Sequence, residues 1–241
     1  MTENLTFWAV IATAVTTAFI HTFLGPDHYL PFIVLSRARH WTLRRTLTLT
    51  FVSGLGHVAS AFGLALLFSY LSRLSGRFAP LAEWVEETRG SLAAWMLLIL
   101  GVVYMIFGLI HIFRRPHTHA HVHADGTVHT HEHNAVDEHA HIHGDSSHRF
   151  LLGWSLFIIF VLGPCEALLP ILAAAASVDT LCVFCSTTVF TVVTVATMLL
   201  AVTLGYLGLR QLTSPWVERA SHLLAGLMIT LCGIGMIFFD L

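Results

Sequence analysis

HTFLGPDHYLPF, residues 21–32, sets two histidines and an aspartate around a Gly-Pro pair inside an apolar segment. Proline removes a backbone donor and clashes with the preceding turn, while glycine tolerates unwinding. A helix running through this stretch is therefore expected to break at 25–26 and to free backbone carbonyls and amides. Asp27 and His28, both ionisable, follow at once. What such a break means depends on whether water or lipid surrounds it.

The composition points to lipid. Of 241 residues, 56% are hydrophobic and only 11% charged, and the mean hydropathy is +0.75. Long apolar runs recur along the whole chain, the pattern of an all-α, polytopic integral membrane protein. A net charge of −2 leaves little to attract nucleic acid, so no nucleic-acid partner is expected. MTENLTF at the N-terminus lacks a basic leader region, so the first apolar run is expected to stay as an anchor. The four cysteines, Cys165, Cys182, Cys185 and Cys232, lie in or beside apolar runs; a secreted disulfide scaffold would be smaller and denser in Cys.

Six transmembrane helices are predicted, at about 6–35, 46–71, 91–113, 149–176, 182–209 and 220–239. Each is near or above the roughly 20 residues that cross the hydrocarbon. All twelve basic residues are Arg. Arg37, Arg39, Arg44, Arg45, Arg114, Arg115, Arg149, Arg210 and Arg219 fall on one side of these spans, and Arg73, Arg77 and Arg89 on the other. Basic loops stay inside. Both termini are therefore expected outside the cell and the 114–148 loop in the cytoplasm of a bacterial inner membrane protein.

The halves repeat. LGPDHYLPF at 24–32 resembles LGPCEALLPI at 162–171: Leu-Gly-Pro, two polar residues, then an apolar step to Pro. Residues 1–113 and 149–241 read as two three-helix repeats flanking the 114–148 loop. An odd number of spans per repeat makes the copies inverted, with Gly-Pro breaks in helices 1 and 4. Inverted repeats with broken helices are a recurrent transporter plan, and the breaks mark the binding site.

Broken backbone is tolerated in a membrane only where it faces protein or a wet cavity. An Asp at mid-span costs about 2.5–3.5 kcal/mol on insertion scales, so Asp27 and its counterpart region, Cys165 and Glu166, need partners. A cation suits both carboxylates. His21 lies seven residues before His28, and His57, in SGLGHVAS of the second span, sits among small residues that allow close helix approach. A single such histidine would serve as well as an interhelical hydrogen-bond donor. Together, His21, Asp27, His28, His57, Cys165 and Glu166 form a candidate metal site, a mixed set that excludes none of Ni, Co, Zn or Cu.

Residues 117–148 hold eleven of the seventeen histidines. His117, His119, His121, His123, His129, His131, His133, His139, His141 and His143 alternate mostly with small residues. No apolar face exists here, so the loop is expected to be disordered and to capture divalent metal. A cytoplasmic metallochaperone is the protein partner such a loop suits; a linker without an essential role is the plainer alternative.

With these residues assembled, the chain resembles the nickel/cobalt transporter group of the lysine-exporter-like superfamily, which includes urease-accessory-type permeases. The resemblance rests on HTFLGPDH, GLGH with His57, FVLGPCEALLP and the His-rich central loop, and it covers all six predicted spans. It implies a divalent transition-metal permease whose metal-handling positions match His21, Asp27, His28 and His57. The metal is then cargo, and no prosthetic group is implied. The chain departs from the group's usual motif in having five rather than four residues between His21 and Asp27, and six spans where eight are common.

Three other classes fit less well. The Gly-Pro-Cys pattern also resembles membrane thiol–disulfide carriers related to cytochrome c biogenesis, but those need a cysteine in each half, and no Cys precedes 165. Enzyme chemistry is not expected, since no HExxH and no nucleophile beside a base occurs. An anion carrier would want Arg inside a span, and the predicted spans contain none.

Overall fold

The computed structural model describes residues 2–75, 79–113, 117–122, 128–133, 145–211 and 214–239. The first apolar segment forms helix α1 (Thr2–Leu24), a 3-10 turn (Pro26–His28) and a nine-residue helix α2 (Leu30–Ala38). Two long helices follow, α3 (Leu43–Ser75) and α4 (Ala79–Phe113). After the loop segment come α5 (Asp145–Leu162), a second nine-residue helix α6 (Leu168–Ala176), α7 (Thr180–Arg210) and α8 (Pro215–Phe239).

Both Gly-Pro pairs break their helices where the backbone chemistry requires. Among the described residues five helices are long and apolar enough to cross a membrane: Asn4–Leu24, Leu43–Leu71, Pro80–Phe113, Thr180–Arg210 and Pro215–Phe238. The segment read as the fourth span is divided between α5, whose apolar part is Leu152–Leu162, and α6. At about 1.5 Å per residue, α2 and α6 reach less than half of a hydrocarbon core. Helices that start and stop at such breaks leave their ends inside the protein.

The distribution of bulk is that of a protein in lipid. Fully buried positions include small residues, Ala14, Ala18, Ala93 and Ala175, beside larger ones such as Phe32, Phe190 and Met198. Large side chains such as Trp8, Phe19, Trp84, Trp95 and Phe113 are exposed. In water such a surface would aggregate; among acyl chains it is the ordinary outside of a helical bundle, and small residues let the helices approach. On α1 the ridge Val10, Ala14, Ala18, Thr22, at four-residue spacing, is buried, and α1 lies along α7. On α3 the ridge Thr46, Thr50, Ser53, His57 is likewise buried, where α3 meets α5 and α7.

Among the described residues α4 and α8 share the most extensive helix contact. Gly101 and Gly108 on α4, and Gly226 and Gly233 on α8, are each seven residues apart and so lie on one stripe of their helix. A Cβ on Gly101 would run into the backbone of Thr230, one on Gly108 into Leu223, and one on Gly226 into Met105. Gly108→Ala is therefore expected to push the two backbones apart at a cost of about 1–3 kcal/mol. The check is the thermal unfolding midpoint of the purified protein in detergent; a midpoint equal to the parent's would rule out backbone contact between these helices.

The histidine-rich segment departs in part from its expected lack of structure. His117–Val122 and Val128–His133 pair antiparallel, with His117 opposite His133, His119 opposite His131 and His121 opposite His129. Alternation of His with small residues has the period of a strand, and that periodicity needs no apolar face to align a hairpin. His123, His139, His141 and His143 lie outside the described residues.

Candidate metal centre

The first break is built by Gly25. Its amide closes α1 on the His21 carbonyl at 3.0 Å, and Pro26 then opens the 3-10 turn. A side chain at 25 would strike His28 Nδ1 and Asp27 Oδ1, at 2.7 and 2.9 Å from an added Cβ. Glycine is needed here for space, so that the two ionisable side chains can fold back over the break.

That folding decides which nitrogens are free. His28 Nδ1 is 3.2 Å from the Gly25 carbonyl and 3.2 Å from Asp27 Oδ1. Both are acceptors, so Nδ1 carries the proton, and in the neutral ring the lone pair lies on Nε2. His57 repeats the arrangement: its Nδ1 donates to the Phe160 carbonyl at 3.0 Å, which again leaves the lone pair on Nε2. His28 Nε2, His57 Nε2 and His21 Nε2 are all buried without a hydrogen-bond partner. A buried polar atom left unpaired costs about 1–3 kcal/mol. Three of them close together call for a ligand. A carbonyl or carboxylate behind the remote ring nitrogen is also how metal-binding histidines are oriented.

The three rings are neighbours. His21 and His28 have centroids 4.8 Å apart, and His28 and His57 5.4 Å apart, each pair edge to face. Cys165, from the second break, completes the group: ligand atoms of His21, His57 and Cys165 lie within 4.8 Å of one another. His28, His57 and Cys165 are 5%, 4% and 2% exposed. A cavity of about 590 Å³ opens beside them, lined among others by His21, Asp27, His28, His57 and Glu166.

Five of the six expected ligands are thus brought together. Asp27 lines the cavity while bracing His28 from behind. Glu166, next to Cys165, lines the same cavity but is an exposed residue.

A further part of the site was missed from the sequence, which assigned Arg89 to an outer loop. Arg89 lies inside the apolar span Pro80–Phe113 and is buried. This corrects the expectation that no span contains arginine. Its Nη1 donates to both carboxylate oxygens of Glu86 at 2.9 Å. Its Nη2 donates to the Val161 carbonyl at 2.8 Å, to Ser60 Oγ at 3.0 Å and to the Gly163 carbonyl at 3.5 Å. Ser60 Oγ itself donates to Val161 at 2.8 Å. The fork of one guanidinium therefore satisfies carbonyls left open where α5 ends at the second break. The charge is paired by Glu86, so Arg89 does not supply the free cation an anion site would require. The available signal was EETRG at 86–90, where Glu and Arg stand three apart, one turn of helix, at the head of an apolar run.

The cysteines separate by environment. Cys165 sits with histidines, while Cys182 and Cys185 lie on the first turns of α7, where Asp179 accepts the Cys182 amide at 2.6 Å. Among the described residues all four are free thiols. No protein-family model, curated protein or solved structure matches the chain.

Proposed function

We propose that this protein carries a divalent transition-metal cation, nickel or cobalt foremost, across a bacterial inner membrane. One observation carries the reading: three neighbouring imidazoles bear buried Nε2 atoms without partners, two of them fixed as lone-pair bearers by carbonyls, and the ligand atoms of two of the three, His21 and His57, lie within 4.8 Å of a buried thiol, Cys165. Imidazole and thiolate together favour late first-row ions over Mg or Ca, which prefer all-oxygen shells. The resemblance to nickel/cobalt permeases favours Ni and Co within that series, with Zn or Cu as the other cargo the donors suit. Asp27 and Glu166 line the adjoining cavity and are the groups through which protons exchange for metal.

The wider architecture belongs to the same reading: six spans as two inverted three-helix repeats, with α1–α2 and α5–α6 as the broken members. Exchanging the halves turns the α1–α7 contact into α5–α3, α6–α7 into α2–α3 and α2–α7 into α6–α3, and each of these occurs, whereas α2–α8, α1–α6 and α4–α5 have no counterpart of similar extent among the described residues. The pairs α3–α7 and α4–α8 map onto themselves. Both pieces beyond a break are nine residues long. With Arg89 inside a span, the Arg count favours the 114–148 side as cytoplasmic still more strongly.

The test is accumulation of Ni, Co, Zn, Cu and Mn in cells expressing the chain. A change confined to the softer ions, with Mn unmoved, is expected; no change in any of them overturns the proposal. Deleting 117–143 is expected to raise the half-saturating metal concentration severalfold while accumulation persists, because capture is separate from passage. Cys182→Ser and Cys185→Ser are expected to leave accumulation intact, where a thiol–disulfide carrier would lose its activity.

A further inference from the structure

The cavity of about 590 Å³ beside the histidines changes in chemistry along its length. On α4 its lining includes Glu87, Ser91, Ala94 and Leu97, three or four residues apart and so on one face of the helix. Glu87 to Leu97 spans about 15 Å of helix. Glu87 is exposed and Leu97 is buried, so the cavity runs from the surface into the core. On α8 it is lined by Met236 and Ile237, close to the helix end at Phe239. The two helices run antiparallel, with Gly233 against Leu98 and Gly226 against Met105. The cavity therefore belongs to the end of the bundle away from the 114–148 loop. Toward that loop the way is filled. The Phe160 ring lies 6.4 Å from His28, 6.3 Å from His57 and 4.9 Å from Phe32, centroid to centroid, in the apolar cluster that holds Leu97.

The donors are graded along the same direction. The exposed carboxylates of Glu87 and Glu166 line the cavity, and no arginine is among the described residues that do so. Glu86, one residue earlier, is held by Arg89 at 2.9 Å, which leaves Glu87 as the charge α4 turns to the cavity. Deeper in stand His28 and His57, buried, with Nε2 atoms that lack partners. We infer that Glu87, together with Glu166, is a first station for the ion, taking a hydrated divalent cation from the outer side before it reaches the imidazoles and the thiol. The inference rests on the histidine cluster being a metal centre, and it adds Glu87 and a side of entry to that reading. Carboxylates alone would be an ordinary wet surface; here they share a cavity with buried nitrogens that want a ligand. A cleft lined by one sign of charge between low-dielectric walls concentrates the counter-ion. Carboxylates take Mg or Mn as well as Ni, whereas nitrogen and sulfur select the later ions. Admission is thus unselective, and selection follows when the ion sheds water onto the inner donors.

The experiment is stopped-flow mixing of the full purified chain with nickel chloride, free nickel being followed by a fluorescent indicator. The phase lost in His57→Ala is that of the buried centre. Combined Glu87→Gln and Glu166→Gln should slow this phase on the order of tenfold, with dissociation unchanged. Glu87→Asp, which keeps the charge, should retain most of the parent's rate. At about 1 M salt, where the screening length is about 3 Å, parent and double variant should converge. An unaltered rate in the double variant, or a difference that persists at high salt, overturns the inference. In intact cells Glu87→Cys should react with a membrane-impermeant maleimide added outside, and nickel should slow that reaction. Reaction only after the membrane is opened overturns the outer entry. Absence of any phase lost in His57→Ala would instead remove the metal centre, and the inference with it.

Discussion

Cells producing the His28→Ala variant are expected to accumulate no more metal than cells lacking the protein, although the variant reaches the membrane in normal amount. His28 contributes twice. Its Nε2 is one of the three unpartnered buried nitrogens, and its Nδ1 ties Asp27 to the Gly25 carbonyl across the break. Alanine removes the ligand and also releases an aspartate inside the bundle, whose solvation then competes with cation binding. Asp27→Asn separates the two contributions. The amide oxygen still accepts from Nδ1, so the ring keeps its orientation while the carboxylate charge is lost. Affinity should fall about 10–100-fold, the usual cost of altering a group that orients a metal ligand. Titration of purified protein lacking 117–143 reads both effects without the loop's own binding. Parent-like affinity in the His28 variant would remove this histidine from the site.

Arg89→Leu should lower stability by about 3–5 kcal/mol, the cost of leaving a buried partner charge uncompensated. Glu86 would then lie in the bundle without its cation, and the Val161 and Gly163 carbonyls would lose their shared donor. The unfolding midpoint in detergent measures the sum. A cycle with Glu86→Gln divides it. If the unpaired carboxylate dominates, the double variant should recover most of the loss. If the freed carbonyls dominate, it should recover little. Arg89→Lys keeps the charge but not the planar fork, which reaches Glu86 on one side and the break on the other; an intermediate midpoint is expected. A leucine variant as stable as the parent would show that the second break stands without Arg89.

Much of the bundle was legible because its signals are local. Apolar run length places the membrane helices, and Gly-Pro interrupts the backbone of the segment that contains it, so 24–32 and 162–171 announced both breaks. The extents were less legible. The 91–113 run belongs to a helix that begins at Ala79, because Glu83, Glu86, Glu87 and Arg89 interrupt the hydropathy without interrupting the helix. That interruption hid Arg89. Hydropathy treats every arginine as surface, whereas a guanidinium paired within its own helix and facing broken backbone can be buried. The strands at 117–122 and 128–133 escaped for another reason: without an apolar face, two-residue alternation does not distinguish a hairpin from a tract without structure.

By itself the sequence determined a helical membrane protein, where its helices break, and which ligand-bearing side chains stand at the breaks. These follow from hydropathy and from the stereochemistry of Gly and Pro, which act on their own stretch of chain. Only the tertiary structure decided which nitrogens are free to bind. The proton on His57 Nδ1 is assigned by the carbonyl of Phe160, 103 residues away, and the carbonyls of the second break are satisfied by an arginine from α4. Hydrogen-bond partners this distant leave no trace in either local pattern, because each depends on two helices arriving at the same place.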